Sequence, residues 1–155
     1  MIRILLNGCN GKMGQAVTRS CMFNEKLMIV AGVDAINTAD RNYPVYTDPN
    51  LVKEIVDIII DFSHPKALDG ILNYAIEKSL PIVIATTGHS EAQKDIISNA
   101  SKSIPVLLSA NMSLGINLML ELVKRAAKML HGSFDIEIIE KHHNQKIDSP
   151  SGTAL

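Results

Sequence analysis

The chain has 155 residues, 46% hydrophobic and 20% charged, with a formal net charge of −1 when histidine is neutral. That is ordinary globular composition, enough for one full domain and the start of a second, and it excludes a disordered chain. So even a balance of charge leaves no electrostatic footprint for nucleic acid or an anionic membrane, and a small ligand is the expected partner.

Ile2-Arg-Ile-Leu-Leu6 is a short apolar run leading into a glycine loop, the pattern of a buried parallel strand. The loop, Asn7-Gly-Cys-Asn-Gly-Lys-Met-Gly14, spaces its glycines as Gly8-x-x-Gly11-x-x-Gly14, and Gln15 to Asn24 has helical composition. Strand, glycine turn and helix form the setting of a dinucleotide fingerprint, because the backbone can approach a pyrophosphate and the helix N-terminus supplies N–H donors. The next strand, Met28 to Val33, ends in Asp34, twenty residues beyond Gly14, where a carboxylate can accept from ribose hydroxyls. Ala35 follows, so no arginine stands beside the ribose; Lys12 and Arg41 are the nearest cations for a 2′-phosphate. NADH is therefore the expected cofactor, with NADPH tolerated.

Residues 35–50 are polar and carry Pro44 and Pro49, a long connection with a short extended piece at Tyr43 to Tyr46. The third strand is Asp57-Ile-Ile-Ile-Asp-Phe62, after which Ser63-His-Pro65 opens a helix from Lys66 to Ser79. His64 stands at the strand end that binds ligands in such sheets, or is a bystander there. Pro81 to Ala85 is the fourth strand, and Thr86-Thr-Gly88 lies at the same edge as a ribose or nicotinamide contact or a plain turn. A helix from Ser90 to Lys102 leads to a fifth strand, Pro105 to Leu108, and the strand-end loop Ser109-Ala-Asn-Met112. Ser113 to Leu130 reads as an amphipathic helix stopped by Gly132, and Phe134 to Lys141 alternates as a half-exposed strand would. This alternation predicts a Rossmann-like α/β parallel sheet over residues 1–112, followed at 113–155 by the start of a second, α+β domain.

The last stretch, Glu140-Lys-His-His-Asn-Gln-Lys-Ile-Asp-Ser-Pro-Ser-Gly-Thr-Ala-Leu155, gathers cationic side chains and a helix start. It reads as an anion site with a proton donor, in which Gly152 and Thr153 offer free N–H groups and Ser151 is a candidate cap. The competing interpretation is a solvated loop. No His-Glu-x-x-His or Cys-x-x-Cys accompanies His142, His143 and Asp148, so no metal is expected. Cys9 and Cys21 share no redox or disulfide spacing, the stretch before the glycine loop is too short for a signal-peptide core, and no apolar run reaches membrane length. A soluble cytoplasmic protein is the expectation.

Taken in order, Gly8 to Gly14, Ala85-Thr-Thr-Gly88, Ser109-Ala-Asn-Met112 and above all the stretch from Glu140 to Leu155 resemble the 4-hydroxy-tetrahydrodipicolinate reductases (dihydrodipicolinate reductases) of lysine and diaminopimelate biosynthesis. The resemblance spans the chain, with the C-terminal motif its specific part. It implies reduction of the hydrated cyclic dicarboxylate with loss of water, by hydride from NADH or NADPH. His142 would supply the proton, Lys146 would assist it, and His143, Gly152 and Thr153 would hold substrate carboxylates. The cofactor would rest on Gly8, Cys9, Asn10, Gly11, Lys12, Met13, Asp34, Ala85, Thr86, Thr87, Ser109, Ala110, Asn111 and Met112. The chain departs from the family in Ala85, where glycine is common, and in stopping at Leu155, before the part that completes the pocket and a homotetramer. The 155 residues are accordingly expected to be a fragment that binds cofactor better than it turns over substrate. Two other readings compete: a different NAD-dependent dehydrogenase, acting on aspartate or homoserine, and a non-catalytic NADH-binding sensor.

Overall fold

The isoleucine- and leucine-rich runs form the inner strands of a parallel sheet in the computed structural model, which describes residues 1–37, 41–109, 111–142, 144, 150 and 151. The chain divides into two units, Met1–Ser109 and Ala110–Leu155. The first contains β1 (Ile2–Asn7), α1 (Lys12–Met22), β2 (Leu27–Val33), β3 (Val45–Tyr46), β4 (Ile58–Asp61), α2 (Leu68–Glu77), β5 (Ile82–Ile84), α3 (Glu91–Ala100) and β6 (Val106–Leu108). The strand order is β3-β2-β1-β4-β5-β6, with every neighbouring pair parallel. Order reverses between β1 and β4, the topological switch point at which such sheets open a crevice beyond their strand ends.

Successive residues of a strand face opposite ways, so both sides of the sheet need cover. Leu5 and Ile59 enter the larger core with Leu68, Ile71, Leu72 and Ala75 of α2 and Ile97 and Ala100 of α3. Leu6 enters the other, with Cys9, Tyr43 and Val45, against which Val17 of α1 and Ile60 pack. The buried positions 68, 71, 72 and 75 repeat at the spacing of one helix face, which is why α2 lies flat on the sheet. A capping box between Ser90 and Gln93 starts α3, and the Gln93 Nε2 donates to the Pro65 carbonyl at 2.7 Å, tying its start to the turn before α2.

The extended piece at Tyr43 to Tyr46 contributes a two-residue edge strand, which makes the sheet six-stranded. α1 starts at Lys12, inside the glycine motif rather than at Gln15, because Gly11 takes the extended N-cap conformation. The helix expected from Lys66 opens as a 3-10 turn, Pro65–Ala67, becomes α-helical at Leu68, and is followed by Ser79 in the left-handed region at φ 53°. That position after a helix normally belongs to glycine.

In the second unit α4 spans Leu114–Leu130, capped by Ser113, whose Oγ accepts from Ile116 N–H at 3.4 Å. Asn111 Oδ1 accepts from Ser113 N–H at 2.8 Å, and Gly132, at φ 85°, follows the helix. Leu118, Met119, Leu122 and Val123 of α4 are exposed. The alternating segment Phe134 to Lys141, expected as a strand, forms no ladder among the described residues. Alternation selects a face only once a neighbouring strand provides hydrogen bonds.

β1 and β4 are clamped at their start by Arg3 and Asp57. The Arg3 Nε donates to Asp57 Oδ2 at 2.9 Å, its Nη2 to Oδ1, and its backbone N–H to Oδ2 at 2.8 Å. The guanidinium and N–H of Arg3 push the Asp57 carboxyl down from 3.8 to about 2. A carboxyl depressed on folding stabilises the native state above its unfolded pKa and stops doing so as pH falls through the folded one. The stability gap between the native chain and Asp57→Asn, followed by urea unfolding, is expected to be level at neutral pH and to close between pH 3.8 and about 2. A gap that persists below this window would refute the assignment.

Candidate functional site

β1 ends at Asn7, and the chain leaves it through Gly8 at φ +77°. A Cβ at Gly8 would lie 2.5 Å from the Phe62 carbonyl oxygen and 2.8 Å from Ser63 Cα. One at Gly14, in the first turn of α1, would run into the Gly8 carbonyl oxygen and sit 2.7 Å from Cys9 Cα. The turn therefore packs backbone on backbone against the end of β4, which only glycine allows. Gly11, the N-cap of α1, has no side chain to cap the helix, so the first-turn N–H groups at Lys12 and Met13 meet no side-chain acceptor there. Such a helix start is suited to an anion.

Asp34 holds the turn in place. Its Oδ2 accepts from Asn10 N–H at 2.8 Å and its Oδ1 from Ala35 N–H at 2.8 Å. Gly8 N–H donates to Val33 O at 2.8 Å, and Asn10 Nδ2 to Ile36 O at 2.8 Å. Arg41 Nη2 lies 3.3 Å from both Cys9 O and Asn10 Oδ1, which brings a cation to the outer side of the turn. The Cys9 thiol is fully buried, and burial pushes its pKa up to about 11, so it serves as packing rather than as a nucleophile.

A cleft of about 540 Å³ opens beyond the ends of β1, β2 and β4, bordered by Gly8, Gly11, Asp34, Ser63, His64 and Lys66. It occupies the switch point. His64 Nδ1 accepts from Lys66 N–H at 3.2 Å, so this histidine caps the turn that opens α2 while also facing the cleft.

Beneath the strand ends lies a buried polar cluster that the residue patterns did not single out. Asp61, 1% exposed, accepts on Oδ1 from Asn7 Nδ2 (2.8 Å), Ser63 Oγ (2.6 Å) and Ser63 N–H (3.2 Å), and on Oδ2 from Thr86 Oγ1 (2.9 Å). Asn7 and Asp61 are each the polar last residue of an apolar strand, and that was the available signal. Thr86 is buried within this cluster, whereas Thr87 and Gly88 are exposed, Gly88 at φ +82°. Ser109 N–H donates to Ile84 O at 3.0 Å, fixing the chain after β6 to β5.

In the second unit, Glu140 joins two parts of the C-terminal motif. Its Oε1 accepts from Ser151 N–H at 2.9 Å, and its Oε2 lies 3.6 Å from His142 Nδ1. Ser151 is buried, and Met112 is exposed. Of the residues predicted from the motif and loops, Ala110, His143, Lys146, Gly152 and Thr153 lie outside the described residues. Among the described residues no three His, Cys, Asp or Glu side chains gather as a metal site, and no helix is long and apolar enough to cross a membrane.

This sheet order, with a glycine turn at its switch point, defines a Rossmann-like α/β protein. The fold recurs in a myo-inositol dehydrogenase from Lactobacillus casei, at a TM-score of 0.64 and 16% identity over 81% of this chain and 42% of that one. Family models described as dihydrodipicolinate reductase, N-terminus, and dihydrodipicolinate reductase, C-terminus, match residues 2–112 and 115–155. The chain belongs to the dihydrodipicolinate reductase family. Among its relatives are 4-hydroxy-tetrahydrodipicolinate reductases of Caldanaerobacter subterraneus subsp. tengcongensis, 53% identical, and of Clostridium tetani, 48% identical. Both align over the whole of this chain, which spans 61% of their length. A dipicolinate-bound dihydrodipicolinate reductase from Paenisporosarcina sp. TG-14 superposes with a TM-score of 0.78 at 29% identity, covering 99% of this chain and 63% of that one.

The glycine geometry predicts opposite responses to the same substitution. Gly14→Ala forces backbone apart and should cost about 1–3 kcal/mol of stability. Gly70 of α2, where an added Cβ meets nothing within 4 Å, should gain up to about 1 kcal/mol on Gly70→Ala. Urea unfolding of both variants checks the pair; a stable Gly14→Ala would contradict the packing described.

Proposed function

We propose that this chain carries the cofactor-binding domain and the proton-donating part of the substrate domain of a reductase that converts 4-hydroxy-tetrahydrodipicolinate to tetrahydrodipicolinate, in lysine and diaminopimelate biosynthesis. The observation that carries this reading is the match of the whole of this chain to relatives of that name, which includes both the glycine turn and the motif around His142. Residues 1–112 serve the cofactor and residues 113–155 the substrate, and the complete protein is a cytoplasmic homotetramer.

The cleft and the side-chain-free start of α1 fit a dinucleotide. The first-turn N–H groups of Lys12 and Met13 take the pyrophosphate, and the exposed Gly11 lets it come close, while the N–H groups of Gly8, Cys9, Asn10 and Gly11 are spent on shaping the turn. A carboxylate has about four acceptor positions; Asp34 uses one on each oxygen for Asn10 and Ala35 and keeps the others for ribose hydroxyls. Ala85 and Thr87 border the nicotinamide half, with Thr86 setting the turn from beneath. Bound there, NADH or NADPH supplies the hydride.

The remaining steps belong to the protein. Loss of water from the hydrated ring and arrival of hydride leave a site that must take up one proton. His142 delivers it: Glu140 faces its Nδ1, which leaves Nε2 as the nitrogen directed to substrate. Lys146 assists electrostatically, and His143 with the Gly152 and Thr153 N–H groups holds the ring carboxylates in position. Water and oxidised cofactor leave with the reduced ring.

NADH is preferred, since Asp34 meets the ribose, and NADPH is accepted because Arg41 reaches the outer side of the glycine turn. Arg41→Leu is expected to weaken NADPH binding by about tenfold and NADH binding by less than about twofold, measured by titration of intrinsic cofactor fluorescence. Equal effects on both cofactors would remove Arg41 from the 2′-phosphate.

The reaction itself is tested by NADH oxidation in the full-length protein, with substrate formed in place from pyruvate and aspartate semialdehyde. His142→Gln is expected to lower kcat by about a hundredfold or more with NADH binding unchanged. Binding of NADH without oxidation in the native protein would favour the sensor interpretation instead.

A further inference from the structure

The buried carboxylate of Asp61 takes no part in the reaction above, yet it is the point at which three strand ends meet. Asn7 of β1 is its register partner on one side and Ile84 of β5 on the other, and the backbone repeats the pattern: Phe62 N–H donates to Asn7 O at 3.0 Å and Ala85 N–H to Asp61 O at 2.9 Å. Four hydrogen bonds reach the two carboxylate oxygens, from Asn7, from Ser63 twice and from Thr86, and all come from uncharged donors. A salt bridge would hold one partner. This arrangement instead holds three separate segments: Asn7 leads into Gly8 and both line the cleft, Ser63 lies under Gly8 and faces the cleft, and Thr86 begins the exposed Thr87-Gly88 turn.

We infer that Asp61 is a positioning residue for the dinucleotide, holding the Thr86–Gly88 turn after β5 in fixed relation to the glycine turn after β1, so that the nicotinamide half is placed as the pyrophosphate is held. The inference rests on the assignment of this cleft to NAD(P)H. The pyrophosphate half has further supports in Asp34 and the start of α1, which do not depend on Asp61. Among the described residues, the Thr86–Gly88 turn is hydrogen-bonded to the sheet through the Thr86 side chain on Asp61 Oδ2, next to the register of β4 and β5.

The test compares two probes on the 155-residue chain, NADH and ADP-ribose, which lacks the nicotinamide. Asp61→Asn keeps shape but places an amide N–H₂ where one oxygen accepted, and Thr86→Val removes the hydroxyl from the other side of the same bond. Each is expected to weaken NADH binding by about tenfold while changing ADP-ribose binding by less than about twofold, and the double variant should be no worse than the poorer single one. Thermal unfolding of each variant separates loss of fold from loss of placement. Should Asp61→Asn not fold, Thr86→Val decides by itself, since it leaves the Asn7 and Ser63 bonds in place. Equal loss of both probes, loss of neither, or additive effects would overturn the role of Asp61. Native protein that binds neither probe would instead sink the assignment of the cleft, and the inference with it.

Discussion

Where the chain passes from β1 into α1, backbone rests directly on backbone: there is no room for a Cβ at Gly8 against Phe62 and Ser63, nor at Gly14 against Gly8 and Cys9. That close approach sets the spacing of everything around it. It brings the start of α1 to the strand ends, seats the Cys9 side chain in the smaller core, and leaves the first-turn N–H groups without a side-chain cap from Gly11. Because Gly11 has no side chain to compete for those donors, the same packing that closes the core on one side leaves a helix start suited to an anion on the other.

The sheet supports this turn in two ways. Apolar residues on alternating faces of β1 and β4 fill separate cores, with α1 against one and α2 and α3 against the other, and each fully buried leucine or isoleucine contributes about 1.5–3 kcal/mol. The polar ends of the same strands are satisfied among themselves, Asn7 and Ser63 and Thr86 on Asp61, and Asn10 and Ala35 on Asp34. A buried carboxylate is costly unless hydrogen bonds replace its water. The described geometry meets that condition for Asp61 and turns the cost into a fixed arrangement of three loops.

The second unit follows different rules. α4 has no buried residue, and most of its apolar side chains are exposed, with Ile116, Leu120 and Ala127 half-buried, so its amphipathic pattern is not expressed as a packed core within the described residues. Its organised feature is polar. Glu140 reaches forward eleven residues to the Ser151 N–H with one oxygen and faces His142 with the other. One side chain thus connects the proposed acid to the segment proposed to receive the substrate's carboxylates.

Length, hydrophobic period and glycine spacing were sufficient for the alternating α/β order, the parallel sheet and the position of the glycine turn. These depend on local features: which residues alternate, where a strand stops, where a Cβ is absent. The family was legible too, since the motif from Glu140 onward is contiguous. Other features depend on contacts between residues far apart in the chain. Asp34 reads as a ribose ligand by its distance from Gly14, but only the fold reveals that it also anchors the Asn10 amide, and Thr86 reads as a ligand contact until its hydroxyl is seen to end on Asp61. The edge strand at Val45–Tyr46 exists because β2 offers it hydrogen bonds, while the equally suggestive alternation at Phe134 to Lys141 finds no such neighbour among the described residues. The sequence by itself determined the order of strands and helices in the first unit and the family to which the chain belongs. The tertiary structure decided which polar side chains line the cleft and which hold the framework, because that choice depends on which residues folding brings within hydrogen-bond distance.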